Sequence, residues 1–514
     1  MLAAFTLPVY VSQYVAIILA AALSFVVIIV IQRIYFHPYS KVPGPFFAKV
    51  TSIYSAWHSW RGTMHLDVQR CHRKYAIYGH GAPFRKAKGY ATMIPTANGW
   101  STMPSIDKTL HRNLRAVVRS GLGADFLSRF EPAILRHLKI YFCQLRQHQD
   151  RDGWTRAADM RKWNLYLGFD TMADFGLGLK TDLLRSSARD YIFPALHMHE
   201  KKMGLWEQLP ALSNMGIGQL VGAVLPLLSS QARAFARWYR GFMELAIATN
   251  THESHGIFGP VIQSGQGTLK SKSAGHNREQ MVTEGAFSTF SSADAYGIML
   301  SGFLHYLCHC PAVYETLAAD VRARYRPGED IRWDAELASS AYLRAVINEV
   351  LRLVPPACGV HWRECERAGF TVGPGSVPME AGSDVGMSLF ALFRDGRVFR
   401  DPTRFWPERW IPGTLPEAEL CLARAVFAPF LLGPRNCAGS HVALMMASVA
   451  YAYVLVNYDF CLGQPQAAAG SAGSAGSAGE GASAGPELSF ESHYSIASWE
   501  SGPFVRFRAR QVGT

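Results

Sequence analysis

The sequence predicts a mostly α-helical fold with small β-sheets, in which one large domain sits behind an N-terminal transmembrane helix. Three observations predict it. Tyr14 to Ile31, "YVAIILAAALSFVVIIVI", gives 18 residues whose only clearly polar side chain is Ser24, the length at which a helix crosses a bilayer. From Arg278 to Pro311 runs a helical pattern with no internal proline and little charge, long enough to span about 50 Å and read as buried. Short β-like runs broken by glycine and proline follow residue 369, as in a small sheet.

The first element carries no charged side chain before Arg33, and Arg33, His37 and Lys41 follow it directly. A positive flank on the carboxyl side places the bulk of the chain in the cytoplasm. A cleaved signal peptide fits less well, because a basic leading region is missing and the apolar run is long. Residues 1–32 are therefore the anchor. Residues 33–45 form a proline-rich hinge, since Pro43-Gly44-Pro45 neither continues a helix nor joins a sheet. Residues 46–514 are the main domain, interrupted over 465–485 by an Ala/Gly/Ser low-complexity insertion of flexible-linker composition.

Within the domain, "SSAYLRAVINEVLRLVPP" is a second helix. Leu343, Val346, Ile347, Val350 and Leu351 form its apolar stripe, and Pro355-Pro356 stops it. "GFTVGPGSVPMEAGSDVGMSLFALF" reads as short strands, and "ELSFESHYSIASWESGPFVRFRAR" as a terminal β-hairpin.

Composition narrows the class. Lys and Arg number 51 against 39 Asp and Glu, a net charge of +12, which suits nucleic acid, an anionic membrane or an acidic protein partner. No zinc-finger spacing, RNA-binding signature or long basic run favours nucleic acid. Nine scattered cysteines show no pairing rhythm and do not form a disulfide framework. No phosphate loop or dinucleotide fingerprint is present, so redox chemistry needs electrons from outside the chain.

The stretch "FLLGPRNCAG", Phe430 to Gly439, holds one cysteine in a stiff loop just before an apolar helical run. A thiolate ligand needs stabilisation of its charge, which an arginine and the N–H groups of a helix start supply. Gly433 and Gly439 let the backbone approach a flat, bulky group. One cysteine does not hold zinc alone, but a single axial thiolate on haem iron suffices and favours O–O cleavage.

The spacing Phe430-x-x-Gly433-x-Arg435-x-Cys437-x-Gly439 resembles the haem-binding signature of the cytochrome P-450 family of haem-thiolate monooxygenases. The resemblance implies haem b with Cys437 as axial ligand to the iron. It implies cofactor-binding roles for Phe430, Gly433, Arg435 and Gly439, and propionate contacts from His111 and Arg115 of "LHRNLRAVVR" and from Arg363 of "VHWREC". Glu349 and Arg352 sit at i and i+3 on one helix face, and with Arg409 of "DPTRFWPERW" they resemble the family's structural Glu-Arg-Arg cluster. Arg112 and Arg119 suit a basic face for an acidic reductase. Phe287 to Ser292, Ala357 to His361 and the loop before His111 are candidate substrate-lining segments.

Two departures stand out. "SSADAY", Ser291 to Tyr296, occupies the family's oxygen-activation motif; Asp294 keeps the acid, but Ala295 replaces the threonine that relays protons. Asp294 and Ser291 are thus the catalytic candidates, with water or a substrate hydroxyl as further relays. The Ser291 hydroxyl has two options: supplying the relay, or bonding the i−4 carbonyl. Second, "CHRKYAIYGHGAPFRKAKGY" lacks about twenty residues that relatives insert as a first β-hairpin, a real loss or a lost exon segment. A decoy, His305 with Cys308, His309 and Cys310, is set aside as a metal cluster, because on a helix the two thiols point about 200° apart.

The expectation is a haem-thiolate monooxygenase resembling microsomal enzymes of filamentous fungi. It inserts one atom of O2 into a hydrophobic small molecule, in secondary metabolite biosynthesis, with electrons from NADPH through a cytochrome reductase. It is a single-pass protein of the endoplasmic reticulum membrane with a cytosolic catalytic domain. An isomerase, dehydratase or oxidative coupling enzyme on the same haem is one alternative; a non-catalytic membrane-anchored haem-binding protein or relic is another.

Overall fold

The computed structural model describes residues 3–37, 45–61, 82–93, 101–186, 229–249, 278–371, 378–464 and 502–511, with Ser40, Tyr78, Gly256, Ile257 and a few isolated positions between 204 and 224. Residues 38, 39 and 41–44 of the hinge 33–45, the segment 71–81 apart from Tyr78, and the insertion 465–485 lie outside the described residues.

Helix α1 (Ala3–Ile31) is longer than the apolar span alone predicts. Its continuation from Ala16 to Phe36 is long and apolar enough to cross a membrane and is unburied by the rest of the chain. Two short helices follow, α2 (Phe46–Val50) and α3 (Ile53–Trp60). Arg33 reaches back from the end of the apolar helix to the Val50 carbonyl at 2.6 Å.

Strand β1 (Phe84–Lys86) precedes α4 (Lys108–Gly121), whose start is capped by Asp107 accepting the Leu110 N–H at 2.6 Å. Helix α5 (Ala124–Leu145) leads to β2 (Ala158–Asp159) and α6 (Met160–Leu177). Next come α7 (Ser230–Thr249) and the long α8 (Arg278–His309), which begins where its sequence pattern begins. Pro311 opens α9 (Pro311–Arg322), where a missing N–H costs nothing. After α10 (Ala335–Ser339), α11 (Ala341–Leu353) starts on a Ser340 cap and buries its predicted stripe completely.

Helices α6 and α8 cross closely along their buried faces. A Cβ on Gly168 would lie 2.3 Å from the Ala293 carbonyl oxygen, and one on Gly297 would lie 3.1 Å from Asn164 backbone. Small residues on both helices are what let the backbones touch.

Among the described residues, two three-stranded sheets flank the helices. Strand β1 pairs with β3 (Arg363–Cys365), which pairs with β4 (Asp384–Val385), all antiparallel. The expected sheet after residue 369 is smaller than its sequence suggests: Leu389–Leu392 is a helical turn, α12, because Ser388 caps it by accepting the Ala391 N–H. Helices α13 (Glu417–Val426) and α14 (Ser440–Asn457) complete the helical body. Helix α14 is also long and apolar enough for a membrane, but it is mostly buried and packs as a core helix. Its Tyr451 stacks on Phe303 of α8 at 3.7 Å and donates to the Met299 carbonyl.

The terminal hairpin differs from expectation. Strand β6 (Phe504–Ala509) takes β5 (Tyr458–Leu462) and β2 as its partners, with Phe460 opposite Phe507. The expected first arm lies outside the described residues. Phe507 and Val505 face the main core, and that burial fixes the pairing to a strand more than forty residues upstream.

Candidate haem-thiolate site

The cysteine loop is shaped by its backbone. Gly433 has φ +73°, a left-handed conformation that favours glycine. Gly433–Arg435 makes one tight turn, and the Cys437 N–H closes the loop by donating to the Phe430 carbonyl at 2.8 Å. The thiol itself is exposed, one turn before an otherwise buried helix. Protein surrounds it on its other sides, and that low-dielectric setting pushes the thiol pKa up, while the Gly439 N–H and then Arg115 pull it down.

A Cβ on Gly439 would meet no protein atom within 4 Å. The protein's own packing does not demand glycine there, whereas a flat group laid over the thiol does. Exposed thiol, N–H donor and bare glycine therefore fit an axial haem thiolate.

The expected propionate residues converge from three elements. His111 and Arg115 lie on the buried face of α4, Arg363 on β3, and Arg435 in the cysteine loop. His111 is held at about 3, first by burial and then by the charges of Arg435, Lys86, Arg115 and Arg363. Its imidazole is thus neutral at working pH. Arg435 is lowered to about 10, by burial first and then by Arg363. Four like charges around one imidazole repel one another, and an anion among them relieves that repulsion, as a pair of propionates would.

Not every guanidinium points as the sequence suggests. Arg115 donates from Nη1 to the Asn436 carbonyl and from Nη2 to its side-chain oxygen, both at 2.5 Å; its Nε is buried without a protein partner. Arg435 donates to the Ser105 and Ile106 carbonyls at 2.6 and 3.2 Å. Arg363 donates to the Trp362 carbonyl at 2.9 Å and stacks over Tyr78 at 4.8 Å. Sequence reasoning missed Lys86, which is 5% exposed and shares the cation cluster; the basic run "FRKAKG" was its only signal.

On α8 the residues sort by face. Ser291 is exposed and Ser288, Ser292 and Ala295 are half-buried, whereas Ala293, Asp294 and Tyr296 are buried. Ser291 therefore looks onto the open side of the helix, and its Oγ donates to the Phe287 carbonyl at 3.0 Å, the second of its two sequence options. Asp294 does not share that side. It is 2% exposed and ion-paired with Arg161 of α6. Burial pushes its carboxyl up and the Arg161 guanidinium pulls it down, with burial prevailing. Nothing in the spacing of the sequence pointed to Arg161.

The candidate substrate-lining segments divide similarly. Phe290 packs against Phe169 of α6 and Trp238 of α7, at 5.1 and 5.5 Å between ring centroids. Cys358, Val360 and His361 are buried. Ser288, Ser291 and Ser292 are left as the open part of α8, and the loop before His111 is described only from Ser101.

Glu349, Arg352 and Arg409 come together fully buried. Arg352 grips both carboxylate oxygens at 2.8 and 2.9 Å, and Arg409 donates to one at 3.0 Å. The Trp406 N–H and the Trp410 indole complete the carboxylate, each at 2.9 Å. Burial alone would raise the Glu349 pKa, but the two arginines outweigh it and hold it below the usual carboxylate range. Arg352 also satisfies the Phe393 and Pro402 carbonyls, so the cluster ties α11 to the turns after α12. Its role is architectural. Among the decoy residues, His309 Nδ1 contacts its own helix at the His305 carbonyl, 2.7 Å away.

A mostly helical body with two small sheets, a thiol loop at the start of a core helix and a buried Glu-Arg-Arg cluster define a class of thiolate-ligated haem proteins. The Cytochrome P450 family model matches residues 277–468. Cytochrome P450 monooxygenase apf7 of Gibberella fujikuroi is 27% identical over 521 residues, covering 94% of this chain and 96% of that protein. Cytochrome P450 monooxygenase AKT7 of Alternaria alternata is 26% identical, covering 95% and 96%, and atnE of Emericella nidulans is 26% identical, covering 94% of each. The chain is thus similar along nearly its whole length to fungal cytochrome P450 monooxygenases, which supports a P450-type oxidoreductase.

Proposed function

We propose that this monooxygenase binds haem b through Cys437 and oxidises a hydrophobic small molecule of fungal secondary metabolism. The observation that carries the reading is the exposed Cys437 thiol with the Gly439 N–H against it and the His111, Arg115, Arg363 and Arg435 cluster nearby. When bound, haem supplies oxygen activation and transfer of one oxygen atom to substrate. The protein's share is to hold it and manage protons. His111, Arg363 and Arg435 would hold its propionates, Arg115 positions the residue before the thiol, and Phe430, Gly433 and Gly439 shape the loop.

Proton delivery on this reading starts from the open face of α8. Ala295 has no hydroxyl, so Ser291 Oγ, rotating away from the Phe287 carbonyl, passes a proton from water toward the reacting centre. Asp294 polarises this part of the helix from its ion pair with Arg161. Electrons come from NADPH through a cytochrome reductase, for which the exposed Arg112 and Arg119, two turns apart on α4, offer a basic docking face. The apolar N-terminal helix fits a single-pass anchor in the endoplasmic reticulum, with the catalytic domain in the cytosol.

A second reading, an isomerase, dehydratase or oxidative coupling enzyme on the same haem, is favoured by Ala295 together with the pairing of Asp294 to Arg161. The carbon monoxide difference spectrum of the reduced protein in membranes tests the ligand. A red-shifted thiolate-type Soret band supports Cys437, and a band typical of a neutral ligand, or none, overturns it. Substrate loss that depends on NADPH and reductase then separates monooxygenation from isomerisation.

A further inference from the structure

The five residues Thr102 to Ile106, just before α4, are held by charged side chains from three elements. Glu284 of α8 accepts the Thr102 N–H at 2.6 Å. Lys86 of β1 donates to the Met103 carbonyl. Arg435 of the cysteine loop donates to the Ser105 and Ile106 carbonyls. A backbone stretch satisfied in this way takes its position from those side chains rather than from a ladder.

Glu284 is placed to matter for substrate. It lies seven residues before Ser291 and eleven before Ala295, so the three share one face of α8. The segment it holds therefore stands at the end of the open face, roughly 10 Å along the helix from Ser291. The carboxyl is 2% exposed. Burial raises it to about 7, with the Thr102 N–H and hydroxyl opposing. Among the described residues, no charged group on β1, α4, α6 or the cysteine loop contributes to that shift.

We infer that Glu284 is a positioning residue: through Thr102 it sets the Thr102–Ile106 wall over the open face of α8, and its ionisation tightens that wall. The inference rests on the haem-site reading above. The sign follows from linkage. Burial alone raises the carboxyl, whereas the Thr102 N–H lowers it and so binds the ionised form better, and its hold strengthens as pH rises through about 7. Glu284→Gln keeps an oxygen acceptor for Thr102 and removes the titration.

The test is carbon monoxide rebinding after flash photolysis of the full-length, haem-loaded protein in membranes at pH 6 and pH 8. Carbon monoxide is neutral at both, so its rebinding rate reports the pocket wall. The wild type should rebind several-fold slower at pH 8 than at pH 6. Glu284→Gln should stay near the wild-type pH 6 rate at both, and Glu284→Ala should be fast at both. A Glu284→Gln profile that keeps the wild-type pH dependence, or a flat wild-type profile, overturns the inference while leaving the haem site intact. A wild type without a thiolate-type band overturns the haem reading and this one with it.

Discussion

Arg115 grips Asn436 by both its carbonyl and its side-chain oxygen. The first turns of α4 are thereby fixed to the residue before Cys437, across 321 positions of sequence. Only a planar guanidinium satisfies two oxygens in that geometry. In Arg115→Lys the reduced, carbon monoxide-bound protein should shift mostly from the thiolate-type band to the neutral-ligand type. A wild-type spectrum would mean that the clamp does not hold the thiolate loop.

Glu349 gives a pH prediction. Its pKa is held below the ordinary 4.5, so its stabilising contribution is present above that value and is lost as pH falls through the lowered folded value. Melting temperature should drop on acidification in that range. Glu349→Ala leaves two arginines buried without their partner, a loss of about 3–5 kcal/mol. Thermal denaturation of wild type and variant, each followed against pH, checks both statements.

Gly168→Ala tests the helix crossing. Its new Cβ would stand 2.3 Å from a backbone oxygen of α8, so the helices must separate, at a cost of about 1–3 kcal/mol. The melting temperature should fall by several degrees. An unchanged value would show that the crossing is looser than the structure has it.

The Arg161–Asp294 pair should behave as a buried couple. Asp294→Asn alone takes away the carboxylate that Arg161 faces and should cost about 3–5 kcal/mol, whereas replacing both with apolar residues should recover most of that loss. A double-mutant cycle in denaturant reads the coupling. Strict additivity would dissolve the pair.

Ser291→Ala addresses proton delivery. Product formed per NADPH consumed should fall by about tenfold, below the usual span for a lost proton-transfer group, while the carbon monoxide spectrum stays unchanged. Ala295→Thr should raise the same ratio, since it restores a hydroxyl on the open face. A Ser291→Ala protein as well coupled as the wild type would move the relay to water or substrate.

What the sequence determined by itself was local. The stripe of α11, the i, i+3 placement of Glu349 and Arg352, the extent of α8 and the glycine-shaped loop at Cys437 all follow from spacing, because helical period and backbone freedom act over a few residues. Of the cation cluster, Arg115, Arg363 and Arg435 were legible in type, since they lie in recognisable short motifs, whereas Lys86 was not. The tertiary structure alone decided the partners: Arg161 for Asp294, Asn436 for Arg115, the Ser105 and Ile106 carbonyls for Arg435, and β5 for the last strand. Each of these joins residues more than forty positions apart. Such pairs form because a buried charge or strand edge must find a complement wherever packing brings one near, and no local pattern in the chain encodes which complement that will be.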